Sequence, residues 1–319
     1  RPQGGERTDS WQTSAMITSA ATDGVYLFSP AGAIPAGDPR VERGIANLRR
    51  LGYAPRLDRA ALARHLRFAG TDRVRIAAFA RAASAPEPIA MITRGGYGLS
   101  RILPQLPFER LAESGKRWVG YSDFTAFQLA MLARAGAPTW SGPSLVADFG
   151  VEFDELDENT VATFDDAMSG RLEVLGFRCS GPAGIDERGV LWGGNLALVC
   201  AMLGTPWFPR VDGGILFLED VNEHPYRIER MLIQLLHAGV LDAQRVILLG
   251  EFNGYRTGPA DNGFDMPAVV RWLRANTRTP VLTGLPFGHG RTRLCLPHGV
   301  EVGIATEGRT AWIVLPHAH

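Results

Sequence analysis

The stretch Lys116-Arg117-Trp118-Val119-Gly120-Tyr121-Ser122-Asp123-Phe124-Thr125-Ala126-Phe127-Gln128-Leu129-Ala130 decides how the rest of the chain is read. Trp118 and Val119 form an apolar strand that runs through Gly120 and Tyr121 into Ser122. Asp123 then opens a helix whose inward face is Phe124, Phe127 and Met131. The serine therefore falls on a sharp strand-to-helix turn. Such a turn needs a small residue just before the serine, here Gly120. It lifts the hydroxyl clear of the sheet and aims the first free N–H groups of the helix at whatever the hydroxyl attacks. Taken alone, a strand–Ser–Asp–helix junction is more often a helix cap than a nucleophile, so the choice between the two rests on the rest of the chain.

Upstream of this turn, strands and helices alternate. Val25–Phe28 reads as a short strand. Asp38 caps a helix with Pro39 at its first position, Val41, Ile45 and Leu48 on one face, and Gly52 just past its end. A helical pattern follows at Ile76, Phe79, Ala80 and Ala83, then a strand at Ile89–Ile92, the turn Arg94-Gly95-Gly96-Tyr97-Gly98, and a short helix near Leu99–Leu103. This spacing is that of a parallel, doubly wound sheet, in which sites form beyond the carboxyl ends of the strands. The glycine turn and Ser122 both fall at such ends.

Downstream, residues 141–166 read as acidic and irregular, and Gly181-Pro182-Ala183-Gly184 as a hinge. Leu191-Trp192-Gly193-Gly194-Asn195 leads into a helix at Leu196–Leu203, strands follow at Ile215–Leu218, Val246–Leu249 and Val281–Thr283 with a periodic helix at Tyr226–Leu236, and three short β segments close the chain. The expected fold class is α/β: an N-terminal doubly wound, mostly parallel sheet domain over 23–172 that carries the serine, and a C-terminal mixed β/α domain with a curled sheet over 173–319. Residues 1–22 lack the apolar core of a signal peptide and read as a loose leader.

Composition narrows the function classes. Lys plus Arg and Asp plus Glu are 33 each, leaving no net field to hold nucleic acid or an anionic membrane surface. No apolar run approaches the roughly 20 residues of a membrane span, so a small-molecule partner is expected. Cys179, Cys200 and Cys295 are odd in number, widely spaced and without a C-x-x-C, which argues against a disulfide framework or a zinc site and suits a reducing compartment. No metal and no cofactor are expected.

Two further residues have a context suited to chemistry. Glu219 ends an apolar strand, where a carboxylate is costly unless it is paired or reactive. His289 lies in Phe287-Gly288-His289-Gly290, with glycines on both sides that leave its ring approachable. The turn at 94–98 matches neither the dinucleotide fingerprint nor a P-loop. Its exposed N–H groups could instead complete an oxyanion hole beside Ser122.

Read together, Arg94-Gly95-Gly96-Tyr97-Gly98 with Arg101-Ile102-Leu103-Pro104, Gly120-Tyr121-Ser122-Asp123, Ser141-Gly142-Pro143, Trp192-Gly193-Gly194-Asn195-Leu196, Leu218-Glu219-Asp220 with Tyr226-Arg227-Ile228-Glu229-Arg230, and Gly288-His289 before Leu296-Pro297 resemble the LD-carboxypeptidase family, in the family's order and from about Tyr26 onward. The resemblance is closest to its murein tetrapeptide carboxypeptidases. It implies a serine hydrolase with Ser122 as nucleophile, His289 as base and Glu219 orienting the base. The backbone N–H groups of Gly96 and Asp123 would form the oxyanion hole. It further implies removal of the terminal D-alanine from the tetrapeptide stem of recycled peptidoglycan, a cytoplasmic location and a homodimer. Arg94, Gly95, Tyr97 and Trp192 are the candidate substrate contacts; a core role is the alternative for Trp192. Two other readings compete. One is an immunity-type amidase acting on peptidyl- or acyl-nucleotide toxins with the same triad, and the other is a nucleotide- or sugar-binding module.

Overall fold

The structure, a computed structural model, describes residues 23–316; the leader expected over 1–22 lies outside the described residues. The first half runs β1 (Gly24–Phe28), α1 (Pro39–Arg50), β2 (Ala54–Leu57), α2 (Asp72–Ser84), β3 (Ile89–Ile92), α3 (Phe108–Glu113), β4 (Arg117–Gly120), α4 (Thr125–Ala135), β5 (Thr139–Ser141) and α5 (Glu158–Ser169). The second half runs β6 (Val174–Arg178), β7 (Asp186–Asn195), α6 (Leu196–Met202), β8 (Ile215–Val221), α7 (Pro225–His237), β9 (Val246–Asn253), α8 (Met266–Asn276), β10 (Val281–Thr283), β11 (Leu296–His298), β12 (Val300–Glu307) and β13 (Thr310–Val314). Among the described residues no helix is long and apolar enough to cross a membrane.

The first sheet has the order β11-β5-β4-β3-β1-β2. β1 to β5 are parallel, and the edge strand β11 is antiparallel to β5. Parallel strands joined by helices are covered on both faces, which is why β3, Ile-Ala-Met-Ile, is buried at every position. Phe28, Ile92 and Trp118 pack into the core on one face, and Leu27, Met91 and Val119 into that on the other. The second sheet, β10-β9-β8-β7-β12-β13-β6, is parallel from β7 to β10 and antiparallel through β12, β13 and β6. Sequence alternation thus yields the expected α/β class with two sheets of different character.

One apolar cluster joins the two. Phe127 and Met131 of α4 share it with Leu196 and Val199 of α6 and with Leu232 and Leu235 of α7. A continuous apolar joint of this kind holds the two halves together. The chain passes from the first sheet to the second at 170–173, and we place the domain boundary at 172/173, with β11 reaching back across it. The hinge read at 181–184 is corrected: this exposed turn lies between β6 and β7, both in the second sheet.

Two further expectations change. The acidic stretch read as irregular contains the start of α5, where Asp157 Oδ1 accepts the Thr160 N–H at 2.8 Å. Carboxylates crowded at a helix N-terminus are favoured by its dipole, and they obscured the buried face Phe164, Ala167 and Met168. The short helix near Leu99–Leu103 is a turn leading into a 3₁₀ segment at Leu103–Gln105. Strands β2, β5 and β6 and helix α8 were not legible as separate elements.

Candidate active site

Ser122 follows β4 directly and has φ of 63°, a left-handed conformation that costs a non-glycine residue on the order of 1 kcal/mol or more. Tyr121 before it is extended, and a 3₁₀ turn over Ser122–Phe124 feeds α4. A Cβ on Gly120 would meet the side chains of Ile92 and Phe124 at 2.8 Å, so the residue two before the serine has to be small. The expected strand-to-helix elbow is therefore present, with its hydroxyl half-buried at the surface of the sheet end.

The glycine turn crosses over that hydroxyl. A Cβ on Gly95 would sit 2.9 Å from Ser122 Oγ and 3.6 Å from the backbone nitrogen of Asp123, so only glycine lets the turn approach this closely. The Gly32 N–H donates to the Gly95 carbonyl at 3.1 Å. In a trans peptide the N–H lies on the opposite edge from the carbonyl, so the Gly96 N–H points away from Gly32. Asp123 braces the same turn from below, its Oδ2 accepting the Leu99 N–H at 2.9 Å. Its other oxygen has no hydrogen-bond partner among the described residues, and burial pushes the carboxyl up to about 6.

Glu219 and His289 meet at the carboxyl end of the second sheet. Glu219, fully buried in β8, accepts from His289 Nδ1 at 2.7 Å through Oε2, while Oε1 accepts from Asn195 Nδ2 at 3.3 Å. An irregularity in the β8–β9 pairing falls between Leu218 and Asp220, where such bulges re-aim side chains. His289 sits in the segment after β10 behind Gly288, whose φ is 146°; a Cβ there would strike Glu251 Cβ at 2.8 Å and stand 3.3 Å from Glu219 Cβ. The histidine ring lies 5.0 Å from that of Tyr121, the residue just before Ser122. The carboxylate–histidine pair and the serine turn thus face each other across the joint between the sheets.

Several residues that the sequence did not mark support this arrangement. Arg293, 2% exposed, stacks 3.7 Å over the Tyr121 ring, pairs with Asp148 and donates to the Gly288 carbonyl. It therefore ties the histidine segment to the serine turn. Burial holds the Asp148 carboxyl above its usual range even beside this guanidinium. Asp220 is likewise pushed up to about 6, first by burial and then by the charge of Glu219. Glu251, also raised by burial, flanks the histidine segment. A pocket of about 430 Å³ opens beside His289, lined by Tyr121, Asp148, Asp157, Arg291 and Arg293 among others.

The expected substrate contacts divide. Tyr97 is 47% exposed at the rim of the glycine turn, against Phe68. Arg94 donates through Nη1 to the Ala33 carbonyl at 2.9 Å, so part of its guanidinium is committed to holding the backbone. Trp192 is corrected: at 1% exposure it is a core residue, its Nε1–H donating to Gln244 Oε1 at 2.9 Å and its ring edge-on to Phe208. Among the described residues no group of three or more His, Cys, Asp or Glu side chains could hold a metal ion.

The two-sheet α/β fold with a serine elbow at the joint is an architecture that can carry a hydrolase site. The chain belongs to the LD-carboxypeptidase family: residues 25–142 match the family's LD-carboxypeptidase N-terminal domain and residues 188–304 its LD-carboxypeptidase C-terminal domain. It is 31% identical to the murein tetrapeptide carboxypeptidase of Pseudomonas aeruginosa over 90% of this chain and 94% of that one. The crystal structure of a muramoyltetrapeptide carboxypeptidase from Oxalobacter formigenes superposes with a TM-score of 0.85 at 38% identity, covering 93% of this chain and 100% of that one. The microcin C7 self-immunity protein of Escherichia coli is 26% identical over 89% of this chain and 90% of its own. The chain is accordingly a hydrolase with a carboxypeptidase role.

Proposed function

We propose that this carboxypeptidase removes the terminal D-alanine of the murein tetrapeptide stem, at the bond between an L centre and a D residue, with Ser122, His289 and Glu219 as its triad. The observation that carries this reading is the 2.7 Å bond between His289 and the fully buried Glu219, held opposite a strained serine turn. Ser122 Oγ attacks the carbonyl of the L-centre residue while the free imidazole nitrogen takes its proton. Glu219 keeps Nδ1 protonated and stabilises the imidazolium. The N–H groups of Gly96 and Asp123 receive the oxyanion. The amine of D-alanine leaves with the proton from His289, and water then hydrolyses the acyl-serine by the same base.

Recognition of the terminal carboxylate falls to the free N–H groups of the glycine turn and the uncommitted part of Arg94, and Tyr97 borders the stem. We assign the work to peptidoglycan recycling in the cytoplasm, a setting that three buried, unpaired cysteines suit, by a homodimer. A second reading, an amidase of the immunity type, is favoured by the likeness to the microcin C7 self-immunity protein, one structure of which is in complex with glutamyl sulfamoyl guanosine.

Mass-spectrometric product analysis with the murein tetrapeptide, its C-terminal amide and the pentapeptide tests the proposal. A carboxylate pocket filled by an extra residue or an amide leaves its donors unpaired, so kcat/KM should favour the free tetrapeptide by roughly tenfold to a few hundredfold. Comparable values for all three would overturn the substrate assignment. Preferential cleavage of an acyl-sulfamoyl nucleoside would support the amidase instead.

A further inference from the structure

Asn195 ends β7 and caps α6, and both ends of its amide are committed. Oδ1 accepts the Leu198 N–H at 3.2 Å, while Nδ2 faces two carboxylates, Glu219 Oε1 at 3.3 Å and Asp220 Oδ1 at 3.0 Å. The network fixes which end is which, because a helix N–H needs an oxygen and carboxylates need a donor. The backbone N–H of Asn195 donates to Thr125 Oγ1 at 3.1 Å, at the start of the helix that follows Ser122. The preceding Gly194 is pressed against the same threonine, since a Cβ there would lie 2.6 Å from Thr125 Oγ1. One buried residue thus touches the serine's helix with its main chain and the histidine's carboxylate with its side chain.

We propose that Asn195 is the positioning residue of the triad: its Nδ2–H holds Glu219 in the rotamer that presents Oε2 to His289, and its main chain locks that unit to the Ser122 helix. This rests on the triad reading above. Asp220 is well supplied without Asn195, accepting from the Val221 N–H at 2.8 Å and the Ala197 N–H at 2.9 Å. Among the described residues Glu219 has only His289 and Asn195 as hydrogen-bond donors. Removing the amide leaves Oε1 buried without a donor beside a second carboxyl, and that penalises the ionised form on which the imidazolium depends. The charged groups around the pair are Asp220 on β8, Glu251 on β9, and Arg293 with Asp148 beside the histidine segment.

Asn195→Ser and Asn195→Asp in the full chain, with murein tetrapeptide as substrate and Ser122→Ala alongside, test the proposal. Serine keeps an oxygen to cap Leu198 but removes the donor. We expect kcat to fall roughly ten- to a hundredfold with KM little changed, while the thermal midpoint drops only by the modest amount that one unsatisfied buried oxygen costs. Aspartate keeps the cap but replaces the donor with a third carboxyl, so kcat should fall further. The acid limb of the kcat/KM profile should move to higher pH by about one unit, because added negative charge favours protonation of the pair. Wild-type kcat in Asn195→Ser with an unmoved profile in Asn195→Asp would overturn the proposal. So would losses of kcat that merely track losses of thermal midpoint while the profile stays in place. Retained turnover in Ser122→Ala is a different failure, of the triad itself, and would remove the basis of this role as well.

Discussion

The two regions that build the site are held by different physics. On the first sheet Ser122 owes its place to main-chain geometry: a left-handed φ of 63°, a glycine before it and the close passage of Gly95. On the second sheet Glu219 and His289 owe theirs to side-chain hydrogen bonds in a buried setting. A hydroxyl presented by the backbone can be removed without disturbing its support. A buried carboxylate cannot be lost so cheaply, since its partners are left unsatisfied. Catalytic and structural importance should therefore coincide on one side of the joint and separate on the other.

The largest expected effect tests this separation. Ser122→Ala should lower kcat by about 10⁴-fold or more with the thermal midpoint nearly unchanged, and Ser122→Gly should be equally inactive but more stable by about 1 kcal/mol, because glycine relieves the strained φ. Glu219→Ala should also lose activity while dropping stability by roughly 1–3 kcal/mol, as His289 Nδ1 loses its acceptor and Asn195 Nδ2 keeps only Asp220. Kinetics and urea unfolding on the three variants would break the contrast if Ser122→Ala turned over substrate, or if Glu219→Ala were as stable as the parent.

A smaller effect concerns the tie between the regions. Arg293→Met leaves Asp148 buried without its cation, and breaking a buried pair in this way costs about 3–5 kcal/mol. Urea midpoints should show that loss, and adding Asp148→Asn should recover much of it. A loss under about 1 kcal/mol, or no recovery in the double variant, would mean that Arg293 is not the clamp its contacts describe.

In the sequence Ser122, Glu219 and His289 were each ambiguous alone, since a serine at a helix start, a carboxylate closing a strand and a loop histidine all have ordinary structural roles; what singled them out was the run of motifs, in order, that resembles the LD-carboxypeptidase family. The expected α/β class followed from alternation alone. Arg293 carried no such mark. Arg293 matters through Tyr121, Asp148 and Gly288, contacts that only the folded chain assembles. Trp192 beside two glycines reads alike as a binding platform or as core, and only its burial separates the two. The strand β11 crosses to the first sheet for the same reason: nothing in Leu296–His298 says that its partner is β5.

The smallest expected effect probes the main-chain side of the contrast through Asp123, whose carboxyl braces the glycine turn. Its ordinary value is 3.8, and burial raises it to about 6 in the folded protein, so the folded state binds the proton more tightly than the unfolded chain. Its contribution to stability is therefore full below about 3.8 and is lost as pH rises through about 6, a shift that corresponds to roughly 2–3 kcal/mol at neutral pH. Asn at this position keeps an oxygen for the Leu99 N–H but cannot ionise. A protonated carboxyl and an amide both place an unpartnered donor where Oδ1 lies, so the two proteins should be close in stability near pH 4. Above pH 6 Asp123→Asn should be the more stable by about that amount, with Asp220 titrating identically in both and cancelling from the difference. Urea midpoints measured from pH 4 to 8 decide it. A difference that does not widen with pH would mean that the carboxyl is ionised at little cost and that burial does not penalise its charge.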